Sequence, residues 1–175
     1  MRIMTRVLVG VAAVCLAGLA GGCEGFNVHV MLDKNDPGMK DAKGTLKSIE
    51  VNIVAVNETE LPRWETIPMS EYWDPENPLR KSAVKCVMTF GEKLPEEQLL
   101  KKDDPIWKTW KDRKATWLII LANLPGIKDQ PGWADPRRIH MTLDSSKWEN
   151  RYWGSDTIKI QIGSGGLTPL RQPNR

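Results

Sequence analysis

Apolar and polar residues alternate along much of this 175-residue chain, and that period of two predicts strands. In 26–32, Phe26, Val28, Val30 and Leu32 share one face. In 48–57, Ile49, Val51, Ile53 and Ala55 share a face, and Val54 and Val56 add apolar character to the other. Val84, Cys86, Met88 and Phe90 align in 83–90, as do Ile139, Met141 and Leu143 in 138–143. Segment 156–163 points Ile158, Ile160 and Ile162 one way, with Thr157, Lys159 and Gln161 opposite. Segment 116–123 is apolar on both faces, the pattern of a covered central strand. The pattern predicts a mainly β fold, an antiparallel β-sandwich of about six to eight strands with one or two short inserted helices.

Helix signals are sparser. Segment 94–102 opens on Pro95 and two glutamates and closes on lysines, which suits a helix dipole. Segment 104–114 opens on Asp104 as N-cap and Pro105 in the first turn, with Ile106 and Trp110 on one packing face. A short helical turn fits 68–73. Long connections at 33–45 and 124–137 are rich in turn residues, and loops of that length often carry function.

The N-terminus departs from this pattern. Arg2 and Arg6 precede an uncharged stretch at 7–22, shorter than the roughly 20 apolar residues of a spanning helix. A positive start, a short apolar run and small residues before a break describe a secretory signal peptide. Leu19, Ala20, Gly21, Gly22 and Cys23 resemble the lipoprotein box of bacterial signal peptides, although Ala20 holds the place usually taken by Leu, Val or Ile. The resemblance implies cleavage before Cys23 and a diacylglycerol and a third acyl chain on that residue. The alternatives are an ordinary signal peptide with an incidental cysteine, or an uncleaved anchor. Two or more acyl chains hold a protein stably on a membrane without a spanning helix. The expected organisation is a signal peptide at 1–22, a lipidated Cys23 and tether at 23–25, a sandwich at 26–163 and a flexible tail at 164–175. Glu24 after the cysteine points to the outer membrane by the rule that holds for enteric bacteria.

That processing changes the charge and the cysteine count. Removing 1–22 takes two of the 25 basic residues and none of the 22 acidic ones, so the net charge falls from +3 to +1. No clustered basic face is left to suggest nucleic acid. Of three cysteines, Cys15 leaves with the signal and Cys23 takes lipid, so Cys86 has no disulfide partner and reads as a structural thiol.

Chemistry is weakly represented. His29 and His140 fall on the outward phase of their strands and read as surface residues. Two histidines and one thiol do not make a zinc motif. Asp33, Asn35 and Gly38 match the first, third and sixth places of a calcium loop, but Pro37 and Gly44 occupy the fifth and twelfth, so the segment reads as a turn. No nucleophile elbow, phosphate loop or dinucleotide fingerprint occurs. The reading is a non-catalytic protein without cofactor or metal.

Tryptophan is the compositional oddity, with eight against two Phe and two Tyr. Trp117 reads as core. Trp73, Trp133, Trp148 and Trp153 sit in polar, turn-prone surroundings. They are either staples that close loops onto the sandwich or an exposed aromatic surface, for which a glycan would be a suitable ligand.

The order of parts resembles the TssJ family, the outer-membrane lipoproteins of type VI secretion systems. The segments that carry this are 48–73, SIEVNIVAVNETELPRWETIPMSEYW, and 117–126, WLIILANLPG. The chain departs from the family at Val54, Ala55 and Val56, where a Tyr-Gln-Leu ending is usual, in its tryptophan-rich segments and in the helix at 104–114. The resemblance implies a β-sandwich tethered to the outer membrane that holds an envelope protein partner. By position it implies a partner-binding loop at 33–45, with Asp33, Asn35, Asp36, Met39 and Lys40 as candidates. Only Glu24 and Gly25 separate Cys23 from Phe26, and each residue spans at most about 3.6 Å, so the sandwich would sit close to the bilayer. The rival is a tryptophan-lined lipoprotein that binds a glycan or small molecule, and an envelope hydrolase comes third.

Overall fold

A computed structural model describes residues 26–144 and 157–170. Each predicted strand forms, because in each an apolar face meets a partner sheet. β1 (Asn27–Leu32), β4 (Glu97–Leu100), β7 (Thr157–Gly163) and β8 (Gly166–Pro169) make one sheet in the order β4-β1-β7-β8. β2 (Ile49–Val56), β3 (Lys85–Phe90), β5 (Trp117–Ala122) and β6 (Arg138–Thr142) make the other in the order β3-β2-β5-β6. Val28, Val30, Ile158, Ile160 and Ile162 from the first sheet meet Val51, Ile53, Leu118 and Ile120 from the second, all buried in one cluster. The fold is the predicted β-sandwich. Its pairings are antiparallel except β1 with β7, which run parallel from Asn27↔Thr157 to Leu32↔Ile162.

A second apolar layer covers the outer face of β2 and β5. Val54, Val56, Ile119 and Leu121 are buried there beneath Trp64, Met69, Tyr72 and Leu79. Three short helices carry that cover: α1 (Leu61–Thr66), α2 (Met69–Tyr72) and α3 (Pro78–Ser82). With α4 (Pro105–Asp112) the α-helices among the described residues number four, more than the one or two expected. Three of them carry a proline in the first turn, Pro62, Pro78 or Pro105, whose fixed φ suits that position. α4 forms as its sequence predicts. Asp104 accepts from the Ile106 N–H at 2.9 Å, and Trp107 and Trp110 bury its inner face.

Two expectations give way. Segment 94–102 is not a helix; its centre is β4, paired antiparallel with β1 from Val28↔Leu100 to Met31↔Glu97. A helix there would have no apolar stripe to bury, since Leu94 and Leu99 are 43% and 48% exposed. The free edge of β1 offers backbone partners instead, and tertiary pairing overrides the local helix signal. The segment 164–175, read as a tail, contains β8, which pairs with β7 and buries Leu167. Here Gly166 takes φ 139° and lies so close to Pro136 that a Cβ would clash at 2.6 Å.

The strand directions give the sandwich two distinct ends. β1 starts at the end where β4 stops, β7 starts and α4 crosses between the sheets. The Phe26 ring meets Trp107 edge-on at 6.2 Å, Trp110 Nε1 donates to Val84 O at 2.9 Å, and Thr116 N donates to Val56 O at 2.8 Å. The β1–β2 connection, the β3–β4 turn and the β7–β8 turn gather at the opposite end. At about 3.3 Å per residue, six-residue β1 carries the chain about 20 Å from one end to the other.

Candidate protein-docking site

The β1–β2 connection is held at several points along its length. Asp33 N donates to Ile162 O at 2.9 Å as the chain leaves β1, and the Asp33 carboxylate accepts from Asn35 N at 3.1 Å. The next aspartate is the main clamp. Asp36 accepts from Gly38 N at 2.8 Å, from Ser164 N at 2.6 Å and from the Ser164 hydroxyl at 3.0 Å. Those bonds, led by the Ser164 backbone N–H, hold its carboxyl below the usual carboxylate range. Asp36 thus caps the 3₁₀ turn Pro37–Met39 and ties it to the β7–β8 turn. Gly38 is needed for the approach, because a Cβ there would meet Ser164 Oγ at 2.4 Å.

Beyond the clamp, Met39 turns inward and is 2% exposed in the main core. Lys47 N donates to Met39 O at 3.0 Å, and Lys47 Nζ to Gly38 O at 2.8 Å. Leu46 N donates to Glu92 on the β3–β4 turn at 2.9 Å, and Lys34 pairs with Glu96 on the same turn. The tip is closed by Asp41, which accepts from Lys43 N and Thr45 N at 2.8 and 3.0 Å. Lys34, Asn35, Lys40, Asp41, Ala42 and Lys43 are left exposed.

The five candidates in this loop therefore divide. Asn35 and Lys40 are presented to solvent; Asp33 and Asp36 shape the backbone; Met39 anchors it. The loop's attachment to Ser164 and Glu92 was not foreseen. An apolar Met39 within a polar loop was its only sequence signal.

The candidate aromatic surface is placed elsewhere. Trp73 is partly buried against the helical layer, edge-on to Tyr72 at 5.0 Å, with the Arg80 guanidinium 5.1 Å from its ring centre. Arg80 Nη2 also donates to both Glu50 carboxylate oxygens at 3.1 and 3.2 Å. Trp133 is partly buried and stacks on His140 at 4.1 Å, and His140 lies 5.6 Å from Trp117. His140 is thus a packed histidine rather than a surface one, because the helical layer and Trp133 cover the outer face of β6; burial pushes its imidazole pKa down. His29, on the open face of the other sheet, reaches Glu97 at 3.1 Å. Two clefts of about 320 and 280 Å³ flank α1, and neither is lined by Trp73 or Trp133. Trp148, Trp153 and Cys23 lie outside the described residues.

Buried charge forms a frame beneath the helices. Arg137, 5% exposed, forks onto fully buried Asp135 at 2.9 and 2.6 Å and reaches Asp129 at 2.5 Å. Asp129 in turn accepts from Ser70 N at 2.9 Å, so the 124–137 connection is held to α2. Arg138 donates to the carbonyls of Trp64, Glu65 and Ile67 at 2.8, 2.9 and 2.8 Å, where α1 ends. Among the described residues no group of three or more His, Cys, Asp or Glu side chains could hold a metal, and no helix is long and apolar enough to cross a membrane.

No family model matches this chain, and no curated protein does. Solved structures do. A chain of the "Type VI membrane complex" is similar at TM-score 0.52 and 12% identity, over 83% of this chain and 98% of that one. Serratia marcescens Lip, described as a membrane bound component of the type VI secretion system, is similar at TM-score 0.51 and 13% identity, over 85% and 97%. A chain of the structure described as the C-terminal domain of the type VI protein TssM from EAEC is similar at TM-score 0.51 and 12% identity, over 83% and 99%. At these identities the likeness establishes a shared fold, and at that level the resemblance read from the sequence is borne out.

Proposed function

We propose that this chain is a lipid-anchored envelope protein that docks another protein and catalyses nothing, as a component of a type VI secretion membrane complex. The observation that carries the reading is the two-ended geometry. The chain enters β1 at Phe26, three residues after Cys23, beside α4. The clamped loop 33–47 stands at the other end, about 20 Å away. A lipid on Cys23 would hold the α4 end toward the bilayer and present the loop to the aqueous side. Its backbone is already fixed, so docking would pay little to order it. The fold shared with Serratia Lip supports the type VI context, and the outer membrane is the location proposed from Glu24.

The test has two parts. Metabolic labelling with a lipid precursor should mark the parent and not Cys23→Ser; equal labelling of both rejects the anchor. A photo-crosslinker at Lys40 or Lys43, in cells carrying the secretion apparatus, should trap an envelope protein, whereas the same probe at Lys108 on α4 should not. Trapping of that protein from α4 alone would place the docking surface at the wrong end.

A further inference from the structure

The larger of the two clefts, about 320 Å³, lies where α1, α3 and the end of α4 meet over β2. Its floor is apolar, built from Val54, Val56, Leu79 and Trp64. Its rim is cationic. Arg63 from α1 and Arg113 from the end of α4 both line it, and Glu60 is the only acidic residue in the lining among the described residues. The Arg63 guanidinium has no hydrogen-bond or ion-pair partner among the described residues. Arg63 also lines the adjoining 280 Å³ cleft, so its side chain stands between the two. Arg113 is shared with Glu60 at 3.3 Å, but the two side chains are 44% and 37% exposed, and an exposed pair of that length contributes little. Glu60 is held back by a second bond, from Asn57 N at 3.2 Å.

We infer that this cleft binds a small organic carboxylate with an apolar body. The guanidinium fork matches a carboxylate's two oxygens, and two forks on one rim offer more donors than Glu60 can use. The floor residues are almost fully buried and offer only a narrow apolar strip to the rest of the molecule. The volume lies at the small end of the roughly 300–1,000 Å³ range of ligand sites, which favours a compact ligand over a nucleotide or an oligosaccharide. The site stands apart from the docking loop and does not depend on it.

Phenylbutyrate serves as the probe, with phenylbutyramide as its neutral counterpart and acetate as the headgroup alone. Titrations use the full chain in lipid nanodiscs, with empty nanodiscs as blank, and follow the methyl resonances of Val54, Val56 and Leu79. Phenylbutyrate should bind saturably, and the amide and acetate should each bind about tenfold or more weakly. The double variant Arg63→Gln, Arg113→Gln should lose affinity to the same extent without a change in melting temperature, since both side chains stand at the rim. Glu60→Gln should bind more tightly, because it frees Arg113. Equal binding of acid and amide, unchanged binding by the double variant, weaker binding by Glu60→Gln, or no saturation would each overturn the inference.

Discussion

Replacing Arg138 by methionine tests how the helical layer is held to the sandwich. Arg138 is 3% exposed and donates to three carbonyls at 2.8–2.9 Å where α1 gives way to the following turn. Two effects oppose each other. Methionine removes a buried cation whose desolvation pushes its pKa down, and that relief is worth a few kcal/mol. It also orphans three carbonyls against the apolar layer of Trp64 and Tyr72, at about 1–3 kcal/mol each. The Arg138 Nε–H has no hydrogen-bond partner among the described residues, so nothing is lost there. The carbonyl term exceeds the relief, and the net loss is about 3 kcal/mol. With a urea m-value of about 2 kcal/mol/M for a domain of this size, the unfolding midpoint should fall by about 1.5 M. Arg138→Lys, one ammonium in place of a fork, should recover about half of that. A midpoint shift below about 0.5 M for Arg138→Met would mean that water satisfies those carbonyls and that Arg138 does not hold α1.

The remaining predictions concern the loop and two titrating groups. Met39→Ala should cost about 2–4 kcal/mol, with the fastest rise in hydrogen exchange at Lys47 N, whose acceptor is the Met39 carbonyl; exchange unchanged there would refute the anchor. Gly38→Ala should release the loop from Ser164 while β1 and β7 stay protected, read by the same exchange experiment. Asp129 is held down to about 2, chiefly by the Ser70 hydroxyl and then by Arg137, so its contribution is complete above the ordinary 3.8 and is lost as pH falls from there toward about 2. Asp129→Asn should flatten that acid limb, and an unaltered pH-stability curve would contradict the bond network. His140 titrates below its ordinary 6.5 in the fold, so the unfolded chain binds the proton first and stability should fall as pH drops below 6.5. Glu65 is the acid that partly offsets the burial. His140→Phe should remove that slope in urea titrations at successive pH values.

The sequence was most legible where burial imposes a period. β7 reads clearly because Ile158, Ile160 and Ile162 are fully buried while Thr157, Lys159 and Gln161 are not. The doubly apolar run of β5 announced a second cover, and Ile119 and Leu121 do lie under the helical layer. β4 was illegible because only Leu100 of its four residues is buried; its strand character comes from β1, far away in sequence. The parallel match of β1 with β7 left no local mark for the same reason. Arg137 read as the end of a turn-rich connection and Arg138 as the start of a strand, yet both are buried, since one meets an acid two residues away and the other meets carbonyls from α1. At the candidate site, the loop's position was readable and its clamp was not, because Asp36 and Ser164 meet only after β7 has paired with β1.

That clamp bears on how a docking loop at this position would work. A free loop of this length would have to be ordered on binding, at about 0.5–1.5 kcal/mol for each side chain immobilised. Here Asp36, Met39, Lys47 and Glu92 fix the backbone beforehand, and the exposed residues Asn35, Lys40 and Lys43 stand on a settled frame. Substitutions on the frame and at the tip should therefore fail in different ways. Asp36→Ala should weaken docking by loosening the loop, and a bound partner should restore its exchange protection. Lys40→Glu and Lys43→Glu should leave that protection intact and change the rate of association with ionic strength. If Asp36→Ala loosened the loop and left docking unaltered, the binding surface would have to lie off this loop, and the fixed backbone would be a feature of the fold alone.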